Sequence, residues 1–436
     1  MPATTATAGA SGSATGGDPA EVIAVDAAKR SDTLRRVASP PPGRVDYGLA
    51  LTIAVLVSFG LIMVYSASVV TAYTTFRNQY VFLVRQATYG AMGLVAMLVL
   101  MRLDYHRLAA LAVPGLIVAT GALAAVLIPG VGVEAYGAQR WISFLGVQLQ
   151  PSEFAKLALT LYMAHWLSTK REQVRDFAYG FVPFSVILAM VVGLLLKQPD
   201  LGTAFVVAAT ALAIFFAAGA HLAQLGLLVA VVALALVPLV RLAPYRMERF
   251  LAFLDPWEKP LASGYHVVQA LLAFGAGGIT GVGLGVGRQK FLYLPFPHTD
   301  SIFAVIGEEL GLAGTLTLVA LFVFFAYRGL RVAWHAPDQF GRLLATGITC
   351  GITLQAMINM GVLTSTLPFT GITLPFISYG GSSLITTLAS CGILLNVSRQ
   401  VRSTDIASPA PRSRFWRRHR RPHLPRLGRG PRAAGS

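Results

Sequence analysis

The residues best suited to catalysis form the string Pro297-His298-Thr299-Asp300, which ends a long polar stretch and leads into an apolar run that begins at Ile302. It places a carboxylate at the boundary of an apolar region, where such a group could act as a general base. Thr299 and Asp300 are also good N-cap types, and acids suit the positive end of a helix dipole. Spacing alone favours capping, and the catalytic interpretation stays open.

Other charged residues lie inside predicted membrane helices. Glu153 and Lys156 are three residues apart at the start of one helix and so share a face. A mutual ion pair is the simplest account, and an anion site formed by Lys156, with Glu153 holding it in place, is the functional one. Glu308 and Glu309 lie in the first turns of another helix, where acids are unfavourable unless they are paired, hydrated or used.

Two further residues have a common structural role and a rarer functional one. Trp141, in the stretch 136–142, could belong to the belt of aromatic residues at the membrane interface, or it could pack against a sugar ring or a polyprenyl chain. Arg85 lies inside the second apolar run, close enough to its outer end to extend toward the interface. An intramembrane cation is nevertheless a functional candidate.

The glycine-rich stretch 281–287 resembles a nucleotide loop only superficially, because neither a preceding buried strand nor a following Lys-Ser/Thr pair is present. Its glycines predict close backbone approach or a re-entrant turn, and Arg288 and Lys290 beyond it could face phosphate. The stretch 374–383 combines proline, paired glycines and hydroxyls, and it is predicted to line a central cavity. Ser378 within it has no partners that would make it a nucleophile.

The elements that must position these residues are membrane helices. Hydrophobic residues make up 55% of the 436-residue chain and charged residues only 12%, and apolar runs of about 20 residues, enough to cross a bilayer, recur along it. We therefore predict an all-α polytopic bundle of about ten transmembrane helices. The predicted spans are 48–70, 81–102, 109–129, 153–168, 180–196, 203–219, 222–242, 302–327, 343–367 and 382–398.

Cations are distributed unevenly over the connections, and this predicts the topology. With the first end inside, the short cytoplasmic connections hold most of the cations, whereas the short external ones hold few. Both termini are therefore expected in the cytoplasm. The cytoplasmic group is Arg107, Lys170, Arg171, Arg175, His221, Arg328, Arg331 and Arg342, and the external group is Arg77, Arg140 and Lys197.

The remaining segments are predicted to be two terminal regions and two long external loops. Residues 1–46 have the composition of a disordered cytoplasmic leader, and residues 401–436 that of a basic, disordered cytoplasmic tail. Between them lies the membrane domain, residues 47–400, with external loops at about 130–152 and 243–301. Long patterned loops on a rigid bundle are where binding and catalytic groups concentrate.

The net charge of +16 does not indicate nucleic-acid binding. Eleven arginines and one aspartate from Arg399 onward account for ten of these charges, as expected for a membrane-proximal anchor. No recognition helix or basic sheet with interleaved aromatics accompanies them. Cys350 and Cys391 lie in apolar runs without metal-ligand spacing, and we interpret them as small apolar residues.

Taken together, these segments resemble the FtsW/RodA/SpoVE (SEDS) family of shape, elongation, division and sporulation proteins over nearly all of residues 47–400, and the string at 288–295 is more similar to the division and sporulation branch. The motifs that carry the resemblance are Gln139-Arg140-Trp141-Ile142, Gln150-Pro151-Ser152-Glu153, Pro199-Asp200-Leu201-Gly202-Thr203, Asp255-Pro256-Trp257, Ser263-Gly264-Tyr265, Gly287-Arg288-Gln289-Lys290-Phe291-Leu292-Tyr293-Leu294-Pro295, His298-Thr299-Asp300, Glu308-Glu309-Leu310-Gly311 and the stretch 374–383.

The resemblance implies a ten-helix bundle that polymerises lipid II outside the bacterial cytoplasmic membrane, paired with a class B penicillin-binding protein and acting among other division proteins. It implies that Asp300 matches the family's essential acid and Trp141 its functionally important tryptophan. The chain departs from the family pattern at Phe296, where an acid is common, and at Ser301, where an aromatic is common. Both changes would alter the local dielectric around Asp300.

Glycan extension needs a base for the attacking hydroxyl and cations for the departing diphosphate. We expect Asp300 to be the base of a one-step inverting reaction, with no covalently bound cofactor, and a divalent cation could assist. Two other classes stay open, a lipid II flippase and a silent scaffold that activates a partner enzyme. The residues expected at the substrate are Arg85, Trp141, Glu153, Lys156, Arg288, Lys290, His298, Thr299 and Ser378.

Overall fold

The computed structural model describes residues 45–401 except for 136–137, 145–146 and 242–243. The predicted leader and basic tail lie outside these described residues, apart from the few positions at their inner ends. Everything below refers to the described part.

Helices lie at each of the ten predicted positions, with additional short helices in the loops. The helices are α1 (Tyr47–Phe76), α2 (Val81–Arg102), α3 (Tyr105–Ala109), α4 (Ala112–Val126), α5 (Pro151–Lys170), α6 (Val182–Lys197), α7 (Leu201–Ala217), α8 (Leu222–Arg241), α9 (Pro244–Leu254), α10 (Tyr265–Gly277), α11 (Ile302–His335), α12 (Gln339–Leu363) and α13 (Gly381–Gln400). A 3-10 turn (Arg171–Arg175) and a π turn (Phe177–Phe181) join α5 to α6.

Six of the described helices are long and apolar enough to cross a membrane: α1, α2, α6 with its preceding π turn, α11, α12 and α13. Helices α4 and α7 and the first part of α8 are apolar but shorter. The multi-pass architecture is therefore confirmed, and the count of ten crossings stays a prediction.

The predicted helical fold class is confirmed, and one loop adds a small sheet to it. The predicted loop 130–152 folds as an antiparallel sheet of three strands in the order β1 (Gly132–Ala135), β2 (Ala138–Phe144) and β3 (Val147–Leu149). Val133 pairs with Trp141, and a register shift follows between Val133 and Glu134. In the sequence, the surrounding glycines hid the alternating pattern of this short stretch. Pairing with β1 on one side and β3 on the other fixes the direction in which β2 runs.

Aspartates begin four of the described helices, α1, α3, α7 and α12, by accepting backbone hydrogen bonds from the first turn. Asp46 accepts from Leu49 at the start of α1, and Asp338 accepts from Gly341 at the start of α12. Asp200 accepts from Thr203 at the start of α7. A side-chain oxygen at this position satisfies a backbone donor that the helix itself leaves unpaired.

Helix α13 is buried along nearly its whole length and packs closely against α2. Small residues make this approach possible: a Cβ on Gly392 would lie 2.5 Å from the Met97 carbonyl oxygen, and one on Gly93 would lie 2.7 Å from Leu388 Cδ1. Small residues at such contacts let helix backbones come together within a membrane. Helix α13 is therefore packed among its neighbours along most of its length.

Helix α11 is broken at Gly311, whose backbone is not helical (φ 65°, ψ −164°). The chain just after α10 fills the break. Val282 N–H donates to the Glu308 carbonyl and Leu312 N–H donates to the Gly278 carbonyl, at 3.0 Å and 2.9 Å. A Cβ on Gly311 would lie only 2.3 Å from Gly281 N, so glycine is required on both sides. The close backbone approach predicted for this glycine-rich stretch is thus confirmed.

Candidate active site

The candidate site is a cavity of about 710 Å³ at one end of the bundle. Its walls come from the last turns of α1, the first turns of α2, α5, α7 and α13, the strands β2 and β3, and the loops before α11 and α13. Polar groups converge there from segments that are far apart in sequence, including Arg85, Trp141, Lys156, Thr299 and Asp300. A concave site with few convergent polar groups is the usual form of a ligand or active site.

Asp300 is held by a tight turn and by an amide from α12. The turn closes through the Phe296 carbonyl, which accepts from Thr299 N–H at 3.1 Å, and Phe296 itself has a positive φ of 50°. Positive φ is strained for a bulky residue and is tolerated where the surroundings over-determine it. Asn359 donates to the Asp300 carbonyl at 2.8 Å and to the Ile372 carbonyl at 2.7 Å, which ties the turn to the opposite wall.

The capping interpretation of Asp300 does not hold. The N-cap of α11 is Ser301, whose side chain makes no capping hydrogen bond. The Asp300 carboxyl group instead accepts from the Thr299 hydroxyl at 3.2 Å and approaches Gly371, where an added Cβ would lie 3.6 Å from Oδ2. Gly371 has a φ of 65°, so a side chain there would be strained as well as close to the carboxylate.

Loss of hydration raises the pKa of Asp300 to about 6, against smaller opposing effects from its hydrogen bonds and from the charge of Arg249. The carboxyl group is therefore ionised at neutral pH but far more basic than an ordinary aspartate. This is the range in which a carboxylate can accept a proton during catalysis and release it afterwards.

Lys156 has a well-defined position in the cavity wall. Its ammonium group lies 2.8 Å from Glu153 Oε1 and donates to Gln355 Oε1 at 2.6 Å. Gln355 in turn donates to the Thr373 carbonyl at 2.9 Å. The predicted Glu153–Lys156 ion pair is confirmed, and because both residues line the cavity, the ion pair does not exclude an anion-binding role.

Arg85 and Trp141 also line the cavity, Arg85 from helix α2 and Trp141 from strand β2. Arg85 lies over the Phe76 ring, 5.5 Å from its centre, and both residues line the cavity. Trp141 is on β2, next to Arg140, which donates to the carbonyls of Gln198 and Pro199 at 3.2 Å and 2.5 Å. Arg140 thus fastens the sheet to the start of α7 and fixes the position of Trp141.

His298 belongs to the site as a neutral ring. It packs against Phe82 and Tyr379, with ring centres 4.6 Å and 5.7 Å away, and its backbone carbonyl accepts from Tyr379 N–H at 2.8 Å. Burial lowers the pKa of His298 to about 4. At neutral pH it therefore adds no positive charge beside Asp300, and it positions the turn by packing.

Two predicted phosphate ligands lie elsewhere. Lys290 is 1% exposed and its ammonium group lies 2.7 Å from Glu309 Oε1, with the Ser66 hydroxyl 3.2 Å away. Arg288 is exposed, and neither cation lines the cavity. The structure thus places both cations away from the cavity, because Glu309 comes back to meet Lys290, and their role as diphosphate ligands stays a prediction.

Ser378 lies behind the wall of the cavity. Its hydroxyl donates to the Thr299 carbonyl at 2.5 Å and accepts from Leu374 N–H at 2.8 Å. It joins the predicted re-entrant stretch to the turn that carries Asp300. Ser378 is not among the described residues that line the cavity, and its predicted contact with the substrate stays a prediction.

Four site residues were missed by the sequence analysis. Arg249 and His266 come from the helices α9 and α10, and both line the cavity. Gln355 and Asn359 are amides four residues apart on the apolar helix α12, and buried amides within a membrane helix were a signal that could have found them. Nothing in the local sequence marks Arg249 or His266.

The described residues contain no group of three or more His, Cys, Asp or Glu side chains placed to hold a metal ion. Three carboxylates, Glu153, Asp200 and Asp300, line the cavity at separate positions. A divalent cation bound together with an anionic substrate stays a proposal.

Comparison with known proteins gives consistent matches over the membrane domain. The sequence profile of the family described as "Cell cycle protein" (FtsW/RodA/SpoVE) matches residues 47–403. The chain is 48% identical over 361 residues to the probable peptidoglycan glycosyltransferase FtsW of Geobacter metallireducens, covering 83% of this chain and 96% of that protein. It is 44% identical to the stage V sporulation protein E of Bacillus subtilis, covering 82% and 98%.

Two solved structures have the same fold. One is from work on the structural coordination of polymerization and crosslinking by a peptidoglycan synthase complex, with a TM-score of 0.68 and 34% identity over 82% of this chain and 99% of that one. The other is the rod shape determining protein RodA of Thermus thermophilus, with a TM-score of 0.61 and 32% identity over 84% and 98%.

Proposed function

The chain belongs to the FtsW/RodA/SpoVE family of cell cycle proteins, and from this premise we propose that it is a peptidoglycan glycosyltransferase of cell division that polymerises lipid II with Asp300 as general base. The observation that carries the proposal is the Asp300 carboxyl group, held at the wall of a large polar cavity with its pKa raised to about 6. The relatives of this chain support the reaction class, and the geometry supports the residue.

In the proposed reaction a sugar hydroxyl attacks the anomeric carbon of a second, lipid-linked sugar. The new glycosidic C–O bond forms as the bond to the lipid diphosphate breaks, and Asp300 accepts the hydroxyl proton. The diphosphate leaves with the bonding electron pair, and the single displacement inverts the anomeric centre. Burial of Asp300 assists because a desolvated carboxylate is a stronger base.

Cations of the cavity stabilise the charge that develops on the departing diphosphate. Lys156 and Arg85 meet this requirement, since both line the cavity and both were predicted as substrate ligands. Arg249 is a third cation of the wall, and its charge acts on Asp300. Fixed cations in a partly dehydrated site stabilise a developing anion without reorganisation during the reaction.

Replacement of Lys156 with Met is expected to lower polymerisation about 10²-fold, the usual effect of losing one fixed electrostatic group. The rate of glycan synthesis from labelled lipid II measures it. Lys197→Met is the matched control, because Lys197 is an exposed cation outside the cavity. Equal activity of Lys156→Met and Lys197→Met would remove Lys156 from the diphosphate site.

The chain is a multi-pass membrane protein, and its proposed location is the bacterial cytoplasmic membrane with both termini in the cytoplasm. The proposed partners are a class B penicillin-binding protein, which would crosslink the glycan made here, and other division proteins. The likeness to a peptidoglycan synthase complex that couples polymerization and crosslinking supports this pairing.

Polymerisation of labelled lipid II by the purified protein, with and without its cognate transpeptidase, tests the function. We expect long glycan strands whose synthesis depends on the cavity. Movement of lipid II between leaflets without polymer would favour the flippase alternative. Polymer made only by an added partner, at an unchanged rate when Asp300 is replaced, would favour the scaffold alternative.

A further inference from the structure

The stretch 278–287, here called the glycine segment, has an unusually apolar surface for a loop. It contains no charged residue. Its large side chains point outward, with Ile279 73%, Leu284 53% and Val286 61% exposed. Contiguous exposed apolar surface marks a site of contact with a membrane or another macromolecule. Contact with water alone does not explain why these apolar side chains are exposed.

The backbone of the glycine segment is satisfied from within the protein. Besides the two hydrogen bonds across the break in α11 described above, Gly283 N–H donates to the Glu309 carbonyl and the Ile279 carbonyl accepts from Ala313, both at 3.0 Å. Gly285 N–H donates to Glu309 Oε2 at 3.0 Å. Non-helical backbone is compatible with hydrocarbon only where its polar groups are paired in this way.

The depth of the segment follows from the two helices that pass beside it. Asp46 and Arg328 form an ion pair at the end of the bundle opposite the cavity. Ser66 and Glu309 are hydrogen-bonded to each other further along the same two helices. At about 1.5 Å per residue, Ser66 lies about 30 Å beyond Asp46, and Glu309 lies about 28 Å beyond Arg328.

These lengths equal the hydrocarbon thickness of about 30 Å. If the Asp46–Arg328 ion pair marks one boundary of the bilayer, the Ser66–Glu309 contact marks the other. In the glycine segment, residues 278 and 279 pair with Leu312 and Ala313, about one helical turn on the membrane side of Glu309, and residues 282 and 283 pair with Glu308 and Glu309 at the second boundary.

The exposed surface of α11 continues the patch without interruption. Leu312 and Leu316, just past the break, are 52% and 57% exposed, and residues 310–327 contain no charge. Because this helix is long and apolar enough to span a membrane, its exposed side chains face lipid. The backbone hydrogen bonds join the glycine segment to this same lipid-facing stretch.

We propose that the glycine segment is a re-entrant element whose exposed side chains are covered by lipid acyl chains, in the leaflet on the cavity side. In this arrangement the Lys290–Glu309 ion pair is enclosed between the segment, α1 and α11, and lipid shields it from water on the outer side. The proposal does not depend on the glycosyltransferase activity.

Nitroxide labels at Ile279→Cys and, separately, Val282→Cys test the proposal in the full chain reconstituted in lipid nanodiscs, with Cys350 and Cys391 replaced by Ala. Collision with oxygen, which concentrates in hydrocarbon, and with a water-soluble nickel chelate is measured by power saturation. We expect both labels to collide with oxygen as a label at Leu316→Cys does, and several-fold less with nickel than a label at Leu261→Cys.

Leu316 is the lipid reference on α11, and Leu261, 88% exposed in the external loop, is the water reference. Two labelled positions are used so that one poorly folded variant does not decide the result. Nickel accessibility equal to that of Leu261 would overturn the proposal. Low collision with both reagents would also overturn it, because it would show that protein rather than lipid covers the segment.

Discussion

Asp300→Asn is expected to lower the rate of glycan polymerisation by about 10²- to 10⁴-fold, the range typical of removing a general base. The amide keeps the size of the side chain and can still accept from the Thr299 hydroxyl, but it cannot take up the proton of the attacking sugar. Initial rates with purified protein and labelled lipid II measure the effect. Binding of lipid II should persist, because the cations of the cavity are unchanged.

The matched control is Asp255→Asn, in the connection between α9 and α10. Asp255 accepts a hydrogen bond from Trp257 N–H and lies outside the cavity, so its amide should leave the rate unchanged. Thermal unfolding of both variants checks that they are folded. A folded Asp300→Asn protein with at least half of the native rate would contradict the base role.

Lys290→Met is expected to lower the free energy of unfolding by about 3–5 kcal/mol, the usual effect of removing one partner of a buried ion pair. Lys290 is 1% exposed and its ammonium group also donates to the Gly285 carbonyl at 2.7 Å. Without it, the Glu309 carboxylate keeps the Ser66 and Gly285 donors but lacks a compensating charge. Denaturant titration in mixed micelles measures the loss.

Arg288→Met is the control, since Arg288 is exposed and only two residues away. The double variant Lys290→Met with Glu309→Gln should regain much of the stability, because no unpaired charge is then buried. If Lys290→Met and Arg288→Met unfold at the same denaturant concentration, the buried ion pair does not stabilise the fold as predicted.

The sequence was informative where a signal is local. Glu153 and Lys156 share a face because they are three residues apart, and their ion pair could be predicted from that spacing. The positions of the helices at the ten predicted spans could be predicted from the apolar runs along the sequence. The motif that carries Asp300 was found by its position at the edge of an apolar run and by family resemblance.

What the sequence could not show is which distant residues meet. Lys290 was expected at a phosphate, but Glu309 lies nineteen positions further on and reaches it only because α11 breaks at Gly311. Arg249 reaches the cavity because α9 folds back over it, which no periodicity predicts. The sheet around Trp141 was missed because its strands are three to seven residues long.

The central claim is that Asp300 acts as a general base with a raised pKa, and the pH dependence of kcat/KM for lipid II polymerisation tests it most directly. At low substrate this quantity reports the ionisation of the free enzyme. Since only the ionised carboxylate can accept the proton, we predict a plateau above about pH 7 and a tenfold fall per pH unit below a midpoint of about 6. A profile that stays flat to about pH 5, as an ordinary aspartate with a pKa of about 3.9 would give, would contradict the account.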